Sequence, residues 1–236
     1  MRPLSVVLSV DVACFAFEGD EVRLLLVRRA AEPFAGWWAL PGGAAQESES
    51  LDRAAGRVLA ERAELTGAAL GEAYLEQLYT FGDPGRDPRR RTVSVAYYAM
   101  LPAAAPLPRR GLQVSDLTWA PLESLPPLAF DHARIAAYAR WRLAQKLEYS
   151  PLAFRVLPER FTLADLRRLH EALQGRPLDP SNFARQMLAR WDLAPVPGER
   201  DRRRGRPARL FRYIGPPHVP GPPPGFAPPA RDPNRP

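Results

Sequence analysis

The pattern of hydrophobic residues in the first hundred positions predicts mainly β-strands. Residues 6–17 and 22–29 are rich in β-branched and aliphatic side chains, with Gly19-Asp20 between them, which is typical of a β-hairpin. Residues 74–81 and 92–101 have the same strand chemistry and are separated by a polar loop dense in turn residues. These four segments predict a sheet.

Helices are predicted on either side of the later strands. Residues 48–65 have apolar side chains at helical spacing, and either Ser48 or Ser50 can cap this helix. Residues 102–129 are rich in proline and are expected to be irregular, apart from one short strand around 117–119. Asp131 can cap a further helix over about residues 132–147. The fold class of this part is therefore α+β.

Beyond residue 152 the pattern changes to amphipathic helices. Thr162 and Asp165 have the spacing of a helix-capping arrangement, and the helix that follows would end at Gly175. Its expected buried residues are Leu163, Leu166, Leu169 and Leu173. Asp179-Pro180 predicts the start of a second helix. The expected inward stripe of this helix is Phe183, Met187, Leu188 and Trp191.

A basic hairpin is expected after the second helix. A polar, arginine-dense loop follows Pro195, and residues 208–214 have strand chemistry. Helix, turn, helix and basic hairpin together outline a winged helix-turn-helix, a fold that binds DNA.

Charge is distributed unevenly along the 236 residues. Residues 1–150 carry 17 basic and 18 acidic side chains, whereas residues 151–215 carry 14 basic and 7 acidic ones. This contrast indicates a body joined to a module that binds a polyanion, although a solvated basic surface would have the same composition. Residues 216–236 hold 10 of the 28 prolines, so we expect a flexible tail there. The predicted domains are 1–148, 149–215 and this tail.

Composition excludes several classes of protein. The single cysteine, Cys14, rules out a disulfide framework and a cysteine-rich zinc site. The apolar run over residues 4–17 is too short and too polar to span a bilayer, and it lacks the features of a cleaved signal. We therefore expect a cytoplasmic protein that does not bind membranes.

A Gly-Gly turn followed by a helix that carries acidic residues is the candidate site of the larger domain. Glycines let the backbone approach an anion, and carboxylates four residues apart on a helix share a face that can hold a divalent metal. The turn is Gly42-Gly43, followed by five residues, Glu49, seven residues and Arg57. This spacing resembles the signature of the Nudix family, which continues Arg-Glu-aliphatic-x-Glu-Glu-x-Gly. The resemblance implies an α/β/α sandwich that binds a nucleotide diphosphate.

The signature is incomplete beyond Arg57. Val58 and Arg62 stand where glutamates are expected, Glu64 replaces the glycine, and Glu61 is retained. Nudix hydrolases use these glutamates to bind Mg²⁺ or Mn²⁺ and to activate water. The departures therefore predict binding of a diphosphate without efficient hydrolysis and without a required cofactor, which leaves Glu61 as a weak metal candidate. The candidate effector-binding residues are Arg28, Trp38, Gly42, Gly43, Glu49, Arg57 and Glu61.

Two of these candidates could instead have structural roles. Arg57 could simply be the ion-pair partner of Glu49, and Trp38 could belong to the core or the rim of the site. His132 and His170 are too isolated in sequence for a metal site or a catalytic triad, and we expect them to be structural.

Further segments narrow the resemblance to one branch of the family. Residues 75–81 with the Gly-Asp-Pro loop after them, residues 93–98 and Ala129-Phe130-Asp131-His132 resemble the Nudix-related transcriptional regulators of NAD metabolism, the NrtR type. Residues 157–163, 181–185 and 205–208 extend the likeness through the helical domain. The resemblance implies a homodimer whose Nudix domain senses ADP-ribose or a related nucleotide diphosphate. It also implies that the winged helices bind a double-stranded operator near genes of NAD metabolism.

The expected DNA contacts follow from side-chain chemistry. Asn182 and Arg185 lie near the start of the second helix, where arginine can pair with guanine and asparagine with adenine. Arg167 and Arg168 on the first helix could hold the phosphate backbone. The predicted wing carries Arg202, Arg203, Arg204 and Arg206, which suit phosphates or a narrow minor groove.

Two other functions are compatible with the sequence. One is an active Nudix pyrophosphohydrolase, similar to an ADP-ribose pyrophosphatase, with an accessory domain. It would need Mg²⁺ or Mn²⁺ at an unusual site built from Glu61 with Glu47, Glu49 or Glu64. The other is a nucleic-acid-binding module that has lost its effector and keeps the Nudix body as a dimerisation scaffold.

Overall fold

The computed structural model describes residues 5–65, 67–103, 114–201 and 207–216. Within this part of the chain, one mixed sheet of seven strands forms the first domain. The strands are β1 (Val7–Glu18), β2 (Glu21–Arg29), β3 (Trp38–Ala39), β4 (Gly42–Ala44), β5 (Tyr74–Phe81), β6 (Thr92–Met100) and β7 (Val114–Pro121). Their order is β3-β2-β1-β6-β5, with β4 paired to β1 and β7 paired to β2.

The hairpin of β1 and β2 opens into a cleft. The two strands pair only over residues 15–18 and 21–24. Away from the hairpin turn, the two strands have different partners. The first half of β1 pairs with β4, where Asp11 lies opposite Gly42, and the second half of β2 pairs with β3. On its other edge β1 is paired with β6, in parallel, along most of its length. The divergence of β1 from β2 leaves room for a site.

Helices cover both faces of the sheet. They are α1 (Leu51–Ala63), α2 (Gly67–Glu72) and α3 (His132–Tyr149). On β1, Val12 and Cys14 belong to the same buried cluster as α1, whereas Ala13 and Phe15 belong to the buried cluster that contains α3. Successive strand residues point to opposite faces, so a strand that is apolar throughout is buried on both sides. The predicted α/β/α sandwich is confirmed.

The second domain has the elements of a winged helix. They are α4 (Ala153–Val156), α5 (Leu163–Gln174), α6 (Pro180–Arg190), β8 (Leu193–Asp201) and β9 (Ala208–Tyr213). Thr162 and Asp165 form the predicted capping box, and Gly175 ends α5 with a φ of 68° that favours glycine. Asp179 caps α6 by accepting a hydrogen bond from the Asn182 backbone.

The two domains share a core. α5 lies against α3 and β2. A single cluster of buried side chains includes Phe15 of the sheet, Ile135 of α3, Leu169 of α5 and Phe183 of α6. None of the helices in the described part of the chain is long and apolar enough to cross a membrane.

Three local predictions are corrected. β7 is eight residues long, not a short strand around 117–119, because it pairs with nearly all of β2. The segment after Pro195, expected to be a loop, continues as β8 because it pairs with β9. Leu188, expected on the inward stripe, is 48% exposed, since a helix turns by about 100° per residue beyond the buried Met187. The predicted wing arginines and residues 217–236 lie outside the described residues.

Candidate functional site

A cavity of about 480 Å³ lies in the cleft between the diverging strands β1 and β2. Its lining combines residues of β1, β2, β3, β4, α1, β6 and the start of α3 with residues of the loops after β2 and before β6. Among the described residues, five arginines face three carboxylates there, namely Arg29, Arg62, Arg86, Arg89 and Arg90 against Asp11, Glu32 and Asp87. This excess of positive charge in a concave site favours an anionic ligand.

Arg86 joins the floor of the cavity to the start of α3. Its guanidinium donates to both carboxylate oxygens of Asp131, at 2.9 and 2.6 Å, and to Asp11 at 3.3 Å. The Arg86 side chain is only 5% exposed. Asp11 also accepts a hydrogen bond of 2.6 Å from Ser94. Asp131 makes no side-chain cap bond to α3, contrary to the sequence prediction, because Arg86 engages its carboxylate.

The predicted Gly-Gly turn, Gly42-Gly43, is the start of strand β4, because it pairs with β1, and its shape depends on the same aspartate. A Cβ atom on Gly42 would lie 2.1 Å from Asp11 Oδ1, so any larger residue here would displace the buried Asp11 carboxylate. The backbone N–H of Leu40 donates to His132 Nδ1 at 2.9 Å. Burial lowers the pKa of His132, which is therefore neutral at pH 7 and carries its proton on Nε2. His132 thus positions the strand segment before the turn, and it also lines the cavity.

Two arginines lie over an aromatic ring at the mouth of the cavity. The Arg29 guanidinium carbon lies 4.7 Å from the centre of the Phe130 ring, and that of Arg89 lies 6.0 Å from it. Arg29 donates to the carbonyl of Pro33 at 2.8 Å, and Arg89 binds both oxygens of Asp87. Burial and the charge of Arg89 lower the pKa of Arg29. These guanidinium groups are thus held in place before any ligand arrives.

The predicted effector residues divide into two groups. Gly42 and Gly43 line the cavity, whereas Arg28 and Trp38 are absent from its lining. Arg28 donates to the carbonyl of Gly36 and lies over the Trp38 ring. The next residue, Arg29, lines the cavity instead, because successive side chains of β2 point to opposite faces.

The remaining predicted residues form an ion cluster beside the cavity. Arg57 donates to both oxygens of Glu49 at 2.8 and 2.6 Å, to Glu61 at 3.0 Å and to the carbonyl of Ala44 at 2.9 Å. The hydrogen bonds from Arg57 hold the pKa of Glu49 at about 2. The cluster ties α1 to the Gly-Gly turn, and none of its three charged residues is among the lining residues.

The residues present do not fit the divalent metal of Nudix hydrolases. Val58 is fully buried against the sheet, and Arg62 places a cation beside the turn, with its Nε 3.3 Å from the Gly42 carbonyl. Glu61 is engaged by Arg57. The described residues contain no group of three His, Cys, Asp or Glu side chains placed to hold a metal. A magnesium site commonly uses one or two carboxylates together with substrate phosphates. Here Arg62 places a guanidinium at a signature position where the family has a glutamate.

The exposed surface of the winged helix carries the predicted base-reading residues. Asn182 and Arg185 are both exposed near the start of α6, and Arg185 donates to the Asn182 side-chain oxygen at 2.7 Å. Arg167 pairs with Glu171 on α5. Arg168 instead forms an ion pair of 2.6 Å with Asp20 at the turn of the β1–β2 hairpin, so it links the two domains.

Sequence reasoning missed most of the cavity lining. Asp11, Arg29, Arg86, Arg89 and Phe130 come from segments that are far apart in the chain. The local signals were weak: a lone aspartate in an apolar strand, and charged residues in a loop rich in turn residues.

Comparisons with known proteins agree with this geometry. The family model of the NUDIX domain matches residues 7–140, and that of the NrtR DNA-binding winged helix domain matches residues 153–213. The chain is 33% identical over 219 residues to the ADPR responsive transcriptional repressor NtrR of Acinetobacter baylyi, which covers 89% of this chain and 82% of that protein.

Solved structures show the same arrangement. The crystal structure of Shewanella oneidensis NrtR complexed with a 27mer DNA matches with a TM-score of 0.70 and 38% identity, over 88% of this chain and 93% of that one. The NUDIX domain of the same protein complexed with ADP ribose matches with a TM-score of 0.53 and 36% identity, over 61% of this chain and 90% of that one. The chain therefore belongs to the Nudix family, in the NrtR branch whose NUDIX domain is followed by a DNA-binding winged helix domain.

Proposed function

We propose that this protein is a transcriptional regulator of NAD metabolism genes, which binds operator DNA as a homodimer and senses ADP-ribose or a related nucleotide diphosphate. One observation carries the proposal. The Nudix cavity keeps an arginine-rich lining but lacks the metal-binding carboxylates, and its domain shares a core with a winged helix.

The cavity suits a diphosphate. Its volume of about 480 Å³ is within the usual range for small-molecule sites. Arginine suits phosphate recognition because its planar fork can donate two parallel hydrogen bonds. Arg29 and Arg89 are already oriented by Pro33 and Asp87, which reduces the entropy that a ligand must overcome when it binds.

The alternative of an efficient pyrophosphohydrolase has little support in this geometry. Hydrolysis in the Nudix family depends on glutamates, and Val58 and Arg62 replace two of them. The other two glutamates of the signature, Glu49 and Glu61, would be needed for hydrolysis, and both form ion pairs with Arg57. Binding without turnover is the behaviour expected of a sensor.

The elements that line the cavity also contact the winged helix, which supports a coupling between effector and DNA. Helix α3 begins at the cavity with His132, and further along it Arg140 donates to the carbonyls of Ala172 and Leu173 at the end of α5. The β1–β2 hairpin lines the cavity and reaches α5 through Asp20. A shift of either element on effector binding would therefore move α5 and, with it, the α6 surface.

A DNA-binding titration tests the proposal. Fluorescence anisotropy with the DNA upstream of the protein's own gene should show sequence-dependent binding, and ADP-ribose should change that affinity. Arg185→Ala should relax the preference at one base pair by about 1–3 kcal/mol. Arg53→Gln is the matched control, because it removes an exposed arginine of α1, outside the winged helix. Absence of sequence-dependent binding at low salt would refute the proposed function.

A further inference from the structure

Arg62 stands at a position where the Nudix signature has a glutamate. It lies in the last turn of α1, and its side chain is half-buried against the Gly-Gly turn. Its Nε lies 3.3 Å from the Gly42 carbonyl, and its Nη2 lies 3.8 Å from where a Cβ of Gly43 would be. Arg62 also lines the cavity. A permanent cation is therefore built into the wall beside the turn.

We propose that Arg62 replaces the divalent metal of the family, so that the diphosphate of the effector binds directly to its guanidinium and no metal takes part. This inference rests on the proposed function, because it concerns how ADP-ribose is held. In a metal-dependent site, carboxylates hold a cation and the cation binds the phosphates. Here the chain supplies the positive charge itself, and a bound metal ion at the same place would be repelled by it.

The surroundings of Arg62 fit an anion better than a metal ion. Burial and the charge of Arg89 lower the pKa of Arg29, and Arg62 adds to this effect. Arg29 therefore lies within electrostatic reach of both Arg89 and Arg62, and the carboxylates of Asp87 and Asp11 offset part of the repulsion. Arg62 itself loses solvation by burial, which strengthens its interaction with a bound phosphate. Glu61, the acidic residue next to it, attracts Arg62 as well, but the Glu61 carboxylate is hydrogen-bonded to Arg57.

Isothermal titration of the full-length protein with ADP-ribose tests this role. The wild-type affinity should be the same in EDTA, Mg²⁺ and Mn²⁺. Arg62→Gln should weaken binding by about 10- to 100-fold, the loss expected for one charge-assisted hydrogen bond. The affinity of Arg62→Lys for ADP-ribose should lie between those of the wild type and Arg62→Gln, since lysine keeps the charge but loses the planar fork. Arg62→Glu should bind most weakly in EDTA. The melting temperature of each variant, measured in parallel, reports whether it is folded.

Two controls separate the possible failures. Arg53→Gln removes an equal charge from the exposed face of the same helix and should bind like the wild type. If the wild type binds no ADP-ribose, the proposed function fails and this inference fails with it. If the wild type binds but requires a divalent metal, or if folded Arg62→Gln binds as tightly as the wild type, only the role of Arg62 is overturned.

Discussion

Replacing Arg86 with methionine should destabilise the protein strongly, because it leaves two carboxylates without their partner. The Arg86 side chain is 5% exposed, and those of Asp11 and Asp131 are 9% and 18% exposed. Removing one member of a buried ion pair costs about 3–5 kcal/mol. We expect the free energy of unfolding to fall by about 3 kcal/mol, the lower end of this range, because Asp131 keeps some solvent contact and Asp11 keeps its hydrogen bond from Ser94. Methionine retains most of the length of the arginine side chain, so the decrease in the free energy of unfolding measures the contribution of the charge and its hydrogen bonds.

Urea denaturation at pH 7, followed by circular dichroism, measures this loss. Arg134→Met is the matched control, since Arg134 pairs with Asp83 while both side chains are more than 60% exposed, and it should cost less than about 1 kcal/mol. Adding Asp131→Asn to Arg86→Met should recover part of the loss, because it removes one of the unpaired charges. A loss below about 1 kcal/mol for Arg86→Met would refute the view that this network is buried and organises the cavity.

Three further predictions concern other parts of the chain. The pKa of Glu49 is lowered from 4.5 to about 2, so its ion pair with Arg57 stabilises the fold at neutral pH and is lost as the pH falls towards 2. The urea midpoint should therefore drop more between about pH 5 and pH 2.5 in the wild type than in Arg57→Gln, and equal drops would contradict this. Glu64 has a left-handed backbone with a φ of 51°, a conformation that favours glycine. Glu64→Gly should therefore raise the free energy of unfolding, measured by urea denaturation, by about 0.5–1 kcal/mol, and a decrease would contradict this reasoning. Arg140 connects α3 to the end of α5 through two hydrogen bonds. Arg140→Gln should therefore leave the affinity for ADP-ribose unchanged but reduce the effect of ADP-ribose on DNA affinity by about 2- to 30-fold. An undiminished effect in anisotropy titrations would exclude Arg140 from the coupling.

Local sequence signals were sufficient for the elements whose chemistry is local. The hairpin of residues 6–29, helix α1 and the caps at Thr162 and Asp179 follow from β-branched and aliphatic composition, helical periodicity and capping side chains within a few residues. The Nudix spacing up to Arg57 and the basic charge of residues 151–215 indicated the family and the two-domain organisation. These features need no knowledge of which distant segments meet.

Long-range contacts decided the rest. β7 and β8 are strands because partners elsewhere in the chain satisfy their backbone hydrogen bonds, which their own residues do not reveal. Asp131 has the composition of a helix cap, yet a buried arginine 45 residues away in the chain engages its carboxylate. The cavity combines residues from seven strands and helices and the loops between them, and its preference for an anion results from their summed charge. The sequence by itself determined the family, most of the helices and strands, and the missing glutamates, whereas only the tertiary structure decided which arginines meet, because charge acts through distance in space.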